Sequence, residues 1–129
     1  MKKARILIVE DDAATAKLIK LLLTKRGHTV CGIVSSGEKA IDITFKTRPD
    51  LVLMDIKLAG KTDGIIAFEQ IKKVAYVSVV FVSAHTDKET IDRAIQCKPS
   101  GYIVKPFKGE ELLRKVESAL DWHRIYAEE

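Results

Sequence analysis

Four short apolar runs in this 129-residue chain each stop on residues that can do chemistry. Ile6-Leu7-Ile8-Val9 runs into Glu10, Asp11 and Asp12, and Leu51-Val52-Leu53-Met54 runs into Asp55. Val79-Val80-Phe81-Val82 ends on Ser83, and Tyr102-Ile103-Val104 ends on Lys105. Carboxylates gathered in one place repel, and one of them tends to hold a proton unless a cation is present. A hard divalent ion resolves this, and Mg²⁺ fits best because it is commonly held by one or two carboxylates, several waters and a phosphate. Lys105 would add a fixed positive charge and Ser83 a hydroxyl donor. In that company an aspartate is a candidate phosphoryl acceptor: the carboxylate is the nucleophile, and the cations neutralise the oxygens of the transferred group. Singly, each of these residues is an ordinary loop acid or a solvated lysine. The inference rests on each of them ending a different apolar run.

The surrounding elements must bring these residues together. Arg5 to Val9 is a continuous apolar run of strand length, the pattern of a strand buried on both faces of a parallel sheet. From Asp12 to Arg26, Leu18, Ile19, Leu22 and Leu23 recur at helical spacing, and Gly27 ends the segment. Strands are predicted over His28–Val34, Leu51–Met54, Val77–Val82 and Tyr102–Val104. Helices are predicted from Ser36, a capping residue, to about Thr47, then over Gly64–Val74, Asp87–Lys98 and Gly109–Tyr126. On the last helix Leu112, Leu113, Val116 and Leu120 are expected to face inward.

Five strand–helix repeats of this kind predict an α/β fold, a five-stranded parallel sheet covered by helices on both faces. Right-handed crossovers favour the flavodoxin-like doubly wound (βα)5 order 2-1-3-4-5. In that order the first and third strands are neighbours, so Glu10, Asp11 and Asp55 share the crevice at the carboxyl ends of the strands, where ligands bind in open α/β sheets. Acids stand where a glycine-rich phosphate loop would follow the first strand, which argues against a nucleotide-binding member of the class.

Composition narrows the alternatives. With 22 Lys+Arg against 18 Asp+Glu the net charge is +4, and 47% hydrophobic residues indicate one globular domain over residues 1–129. Cys31 and Cys97 form no CxxC motif and read as small buried hydrophobes. The apolar run at the start is too short for an export signal, and no segment approaches the length of a membrane span. A cytoplasmic protein with no membrane partner is expected. The basic surplus is scattered over Lys2, Lys20, Lys46, Lys73 and Lys115 without interleaved aromatics, so direct nucleic-acid binding is not expected.

The motifs ILIVEDD, LVLMDIKLAGKTDG, VVFVSAHTD and GYIVKPF, in this order and spacing, closely resemble the receiver domain of two-component response regulators, over essentially the whole chain. The resemblance implies that Asp55 is phosphorylated by a sensor histidine kinase or a phosphotransfer protein. It further implies that Asp11 binds Mg²⁺ directly, Glu10 binds it mostly through water, and the Lys57 backbone carbonyl is a third protein ligand. Ser83 would be the switch hydroxyl and Lys105 the phosphoryl-pairing cation, with a cis bond to Pro106. Tyr102 would be the aromatic switch on a face formed by the fourth helix, fifth strand and fifth helix. Lys57 and His85, two residues beyond Asp55 and Ser83, occupy positions that tune phosphoryl lifetime in such domains. The chain departs from the common pattern in the loop after Asp55: Leu58-Ala59-Gly60 replaces Met-Pro-Gly, and Asp63-Gly64 falls one residue later. Asp12 is expected to serve as a first-turn acid or helix cap.

The resemblance describes a signalling switch that assists its own phosphoryl transfer and dephosphorylation, and not an enzyme in the usual sense. A phosphohydrolase with a nucleophilic aspartate is the competing class. It would need a cap domain for which 129 residues leave no room, and a DxD pattern, whereas Asp55 is followed by Ile56-Lys57. The end at Glu129 reads as a single-domain, chemotaxis-regulator-like receiver or one excised from a longer regulator. Trp122 and Tyr126 are expected to pad the end of the last helix, or else to border a phosphorylation-dependent homodimer.

Overall fold

The computed structural model describes the backbone of residues 3–127 and side chains as far as Asp121. Strands and helices alternate without exception: β1 (Arg5–Val9), α1 (Ala13–Lys25), β2 (Thr29–Val34), α2 (Gly37–Thr47), β3 (Leu51–Met54), α3 (Gly64–Lys72), β4 (Ser78–Ser83), α4 (Lys88–Gln96), β5 (Gly101–Val104) and α5 (Gly109–Ala127). The five strands form one parallel sheet in the order β2-β1-β3-β4-β5, as the sequence predicts.

Alternation along each strand divides the core in two. Ile6, Ile8, Leu51, Leu53, Val80 and Val82 face α1 and α5, meeting Ile19, Leu23, Leu112 and Val116. Leu7, Val9, Val52, Met54 and Phe81 face the other way, onto Ala40 of α2, Ile65, Phe68 and Ile71 of α3, and Ala94 of α4. Burial on both faces is why β1, β3 and β4 read as unbroken apolar runs. Edge strand β2 is only partly buried, and its pairing with β1 slips by a residue between Ile6 and Leu7.

Local chemistry ends the elements where the sequence suggests, within a residue or two. Ser36 and Asp63 cap α2 and α3, accepting from the backbone N–H groups of Lys39 and Ile66. Gly27 takes a φ of +95° just beyond α1. His28 turns inward and accepts a hydrogen bond from the Ala4 backbone N–H. α3 and α4 are shorter than expected, ending at Lys72 and Gln96. Lys98 adopts a left-handed conformation before Pro99.

One packing expectation, the burial of Cys31, needs correction, and two others gain detail. Leu18 is 48% exposed, because the inward stripe of α1 is Ala16, Ile19 and Leu23 with Leu22 at its margin. Cys31 is half-buried, since β2 is an edge strand, whereas Cys97 is buried. Leu120 faces inward as expected, half-buried where it packs at the rim of the core. The side chains of Trp122 and Tyr126 lie outside the described residues.

α4 is the most lightly seated helix. Ala94 is its single buried residue and Ile95 is 58% exposed. An open groove lined by Ile65, Glu69, Lys72, Arg93 and Cys97 separates α4 from α3. The helix is secured chiefly at its margins. Arg93 pairs with Asp63 at 3.1 Å, and the Lys72 ammonium donates to the Cys97 carbonyl at 2.6 Å. No described helix is long and apolar enough to cross a membrane.

Candidate functional site

The sheet ladder continues one residue past the strands and thereby pins the strand-end residues. The Glu10 N–H donates to the Val34 carbonyl at 2.9 Å, the Asp55 N–H to the Val9 carbonyl at 2.9 Å, and the Lys105 N–H to the Ser83 carbonyl at 2.9 Å. Glu10 and Asp55 therefore leave the edge of the sheet side by side, and Lys105 leaves it two strands from Asp55, beyond Ser83 of β4. Asp55 lies between Glu10 and Ser83 because β3 lies between β1 and β4, and the long Lys105 side chain reaches back across the end of β4 to Asp55.

Glu10, Asp11 and Asp55 each offer a carboxylate oxygen within 4.8 Å of the others. Glu10 and Asp55 are buried and Asp11 is exposed. The Lys105 ammonium bridges the two buried acids, 2.5 Å from Glu10 Oε1 and 2.9 Å from Asp55 Oδ2. The second Glu10 oxygen accepts from the Asp12 N–H at 3.0 Å, fixing that carboxylate at both ends. Burial alone would pull the Lys105 pKa down, and it is the largest single influence. The hydrogen bonds and charges of Glu10 and Asp55 together outweigh it, and the net direction is upward from 10.5.

The donor set suits a hard divalent cation: three carboxylates, two of them buried, and no thiol or imidazole in the cluster. One lysine leaves the three acids with an excess of negative charge, which a cation at this position would balance. Asp12 stands apart as the N-cap of α1. It accepts from the Thr15 hydroxyl and, at 3.1 Å, from the Thr15 N–H, and these bonds hold its carboxyl below the ordinary value.

On the β4 side, buried Ser83 accepts a hydrogen bond from the His85 N–H at 3.2 Å. Tyr102 is half-buried with its ring 6.3 Å from that of Phe81, and its hydroxyl donates to the His85 carbonyl at 2.8 Å. Burial pushes the Tyr102 phenol up, against a hydrogen bond shared with Ser83. Ser83, His85 and Tyr102 thus form one connected group. The His85 ring is directed toward Asp87, the cap of α4, with Nδ1 3.6 Å from Oδ1. The Lys57 side chain is exposed on the loop after Asp55. The Lys105–Pro106 bond is cis.

Two contacts at this end of the sheet escape the sequence reading. Asp63 caps α3 with one carboxylate oxygen and holds Arg93 of α4 with the other. Glu38, in the first turn of α2, lies against the loop after Asp55 with its carboxylate beside Gly60. The cap before Gly64 was available as a signal for Asp63; nothing local marks Glu38 or Arg93.

Comparison with known proteins decides the family. Residues 6–117 match the family model described as response regulator receiver domain. The chain is a receiver domain of the response regulator family. It is 35% identical over 127 residues to the "Probable C4-dicarboxylate response regulator DctR" of Bacillus subtilis (strain 168), covering 97% of this chain and 54% of that protein. It is 30% identical over 120 residues to the "Transcriptional regulatory protein PdtaR" of Mycobacterium tuberculosis, covering 93% and 58% respectively. The receiver thus spans about half the length of the curated relatives it matches. Among solved structures, the signal receiver domain of a modulated diguanylate cyclase from Desulfovibrio desulfuricans G20 superposes with a TM-score of 0.90 at 31% identity, over 96% of this chain and 98% of that one. The response regulator domain of Thermotoga maritima CheB gives 0.85 at 26% identity, over 93% and 98%. Two-component signalling is therefore the setting of this protein.

Proposed function

We propose that this receiver, taken as one domain over residues 1–129, accepts a phosphoryl group on Asp55 from a sensor histidine kinase or phosphotransfer protein. The observation that carries the reading is the Lys105 ammonium, held between buried Glu10 and Asp55 in the crevice where the three carboxylates meet. Asp55 attacks phosphorus; a bond forms between a carboxylate oxygen and phosphorus, the bond to the donor nitrogen breaks, and the imidazole departs. Glu10 and Asp11, with Asp55 and the Lys57 carbonyl, would hold Mg²⁺, which supplies positive charge opposite the transferred oxygens.

Lys105 contributes without rearrangement of its stem: its ammonium already touches Asp55 and can donate to a phosphoryl oxygen on that residue. The Ser83 hydroxyl turns from the His85 N–H to the same group. That exchange disturbs the hydrogen-bonded set of Ser83, His85 and Tyr102, and so biases the face of α4, β5 and α5. His85 and Lys57 flank the route of an attacking water and set how long the acyl phosphate lasts. Switching, and not turnover of a diffusible substrate, is the output.

Incubation with Mg²⁺ and acetyl phosphate, followed by intact-mass measurement, tests the reading. A gain of one phosphoryl group that vanishes in Asp55→Asn is expected. A wild-type chain that gains nothing, or a gain that survives the substitution, overturns it.

A further inference from the structure

The loop after Asp55 is one residue longer than the common receiver form, and the contacts that secure it come from α2. The Ala59 N–H donates to the Ser35 carbonyl at 3.2 Å, and Ala59 pairs with Ser36 in an isolated parallel bridge. Beyond it the chain crosses the first turn of α2 so closely that a Cβ added to Gly37 would lie 2.5 Å from the Thr62 carbonyl oxygen. At this crossing the Glu38 carboxylate lies against the loop, and its own N–H, the Thr62 hydroxyl and the backbone N–H groups of Lys61 and Thr62 hold it below the ordinary carboxylate range. Gly60, with a φ of +87°, passes beside it; a Cβ there would fall 3.0 Å from Glu38 Oε1.

The two ends of the loop are therefore secured differently. At the near end Ile56 and Leu58 are buried in the core, and the Ile56 carbonyl accepts from the Gly64 N–H at 2.7 Å. Across the middle, Gly60–Thr62, the backbone passes against the first turn of α2, where it meets Gly37 and the Glu38 carboxylate.

We propose that Glu38 is a positioning residue for the loop after Asp55, fixing the added length so that the Lys57 carbonyl is presented to a divalent cation. The inference rests on the reading of the carboxylate crevice as a cation and phosphoryl site. Glu38 is not among the carboxylates of the crevice, so its effect would pass through the loop backbone. A simpler account treats Glu38 as a first-turn acid that favours α2 and adds negative charge near the crevice. The two accounts differ in what happens when the hydrogen-bond donor, and not the charge, is removed.

The test is a Mg²⁺ titration of the full chain, followed by the backbone amide resonances in two-dimensional NMR, which reads binding without any phosphoryl donor. Glu38→Ala is expected to raise the Mg²⁺ midpoint about tenfold, the scale typical of groups that orient metal ligands. Glu38→Gln, which keeps one acceptor oxygen, should fall between Glu38→Ala and wild type. Thr62→Val removes a donor and no charge, and should raise the midpoint about threefold. Asp42→Ala removes an exposed acid of the same helix, paired with Lys46, and should leave the midpoint unchanged. An unchanged midpoint in Glu38→Ala, or an equal rise in Asp42→Ala, overturns the positioning role. Should Glu38→Ala fail to fold, Thr62→Val decides: a wild-type midpoint there also overturns it. A wild-type chain showing no Mg²⁺-dependent shifts at all would instead sink the cation site on which the inference rests.

Discussion

Lys105 holds two buried carboxylates together, and removing it exposes how the site is balanced. Lys105→Met keeps the length of the stem but leaves Glu10 and Asp55 facing each other without a cation. Breaking a fully buried pair costs roughly 3–5 kcal/mol. The Lys105 side chain keeps 19% of its surface in solvent, so a loss of about 2 kcal/mol is expected at neutral pH. Urea unfolding should show this loss, and added Mg²⁺ should recover part of it; an unaltered midpoint would mean the bridge is energetically idle. The pH dependence follows from the upward shift of the lysine. Its stabilisation is complete below its ordinary value of 10.5 and disappears as pH rises through the higher folded-state value. The decline in stability above pH 10.5 should therefore be shallower in Lys105→Met than in wild type. Glu10, Asp55 and Lys105 could be read from the sequence because each follows an apolar strand at the same end of the sheet, where the strand order makes Glu10 and Asp55 neighbours and the lysine stem is long enough to span β4. Glu38 and Arg93 could not: their partners are set by the path of a loop, and no periodicity records that path.

Among the elements, α3 shows how closely the fold is built around the Asp55 peptide. Gly64, its first residue, lies so near that a Cβ would fall 2.1 Å from the Asp55 carbonyl oxygen, with Met54 and the Asp55 carbonyl carbon also in the way. Backbone cannot yield there as a side chain would, so Gly64→Ala is expected to destabilise by about 3 kcal/mol. The contrast is Gly101 at the head of β5, whose added Cβ would meet Val80 methyls at an ordinary 3.6 Å. Gly101→Ala should stay within about 0.5 kcal/mol of wild type. Denaturant midpoints of the two variants compare these directly, and equal effects would show that the predicted clash is relieved by movement of α3. Most of the elements were legible because buried strands carry solid apolar runs and because Ser36 and Gly27 punctuate the chain. The exceptions have physical causes. On α1 five leucines and isoleucines span more of the helix than the sheet can cover, and periodicity alone does not say that Leu18 and Leu21 are the ones left out. Cys31 sits on an edge strand, where apolar neighbours in sequence do not guarantee neighbours in space.

Across the whole molecule, stability is unevenly distributed. β1, β3 and β4 are buried throughout their length, apart from the first residue of β1. α4 stands at the opposite extreme, with one buried alanine and an open groove along its flank. Detaching it breaks few apolar contacts. The main losses are the Arg93–Asp63 pair, the Lys72–Cys97 contact and the capping bonds of Asp87 to Thr90. Local opening draws on contacts that the opened segment loses, and not on the global free energy of unfolding. Amide protons along Ile91–Gln96 are accordingly expected to exchange with solvent deuterium far sooner than those of β3 and β4, by a route insensitive to low denaturant. Exchange of α4 in step with the sheet would refute this. The light seating of α4 is expected to let the receiver fluctuate on one side while its sheet stays shut, and on the proposed reading phosphorylation of Asp55 then has only to redistribute a helix that samples both forms.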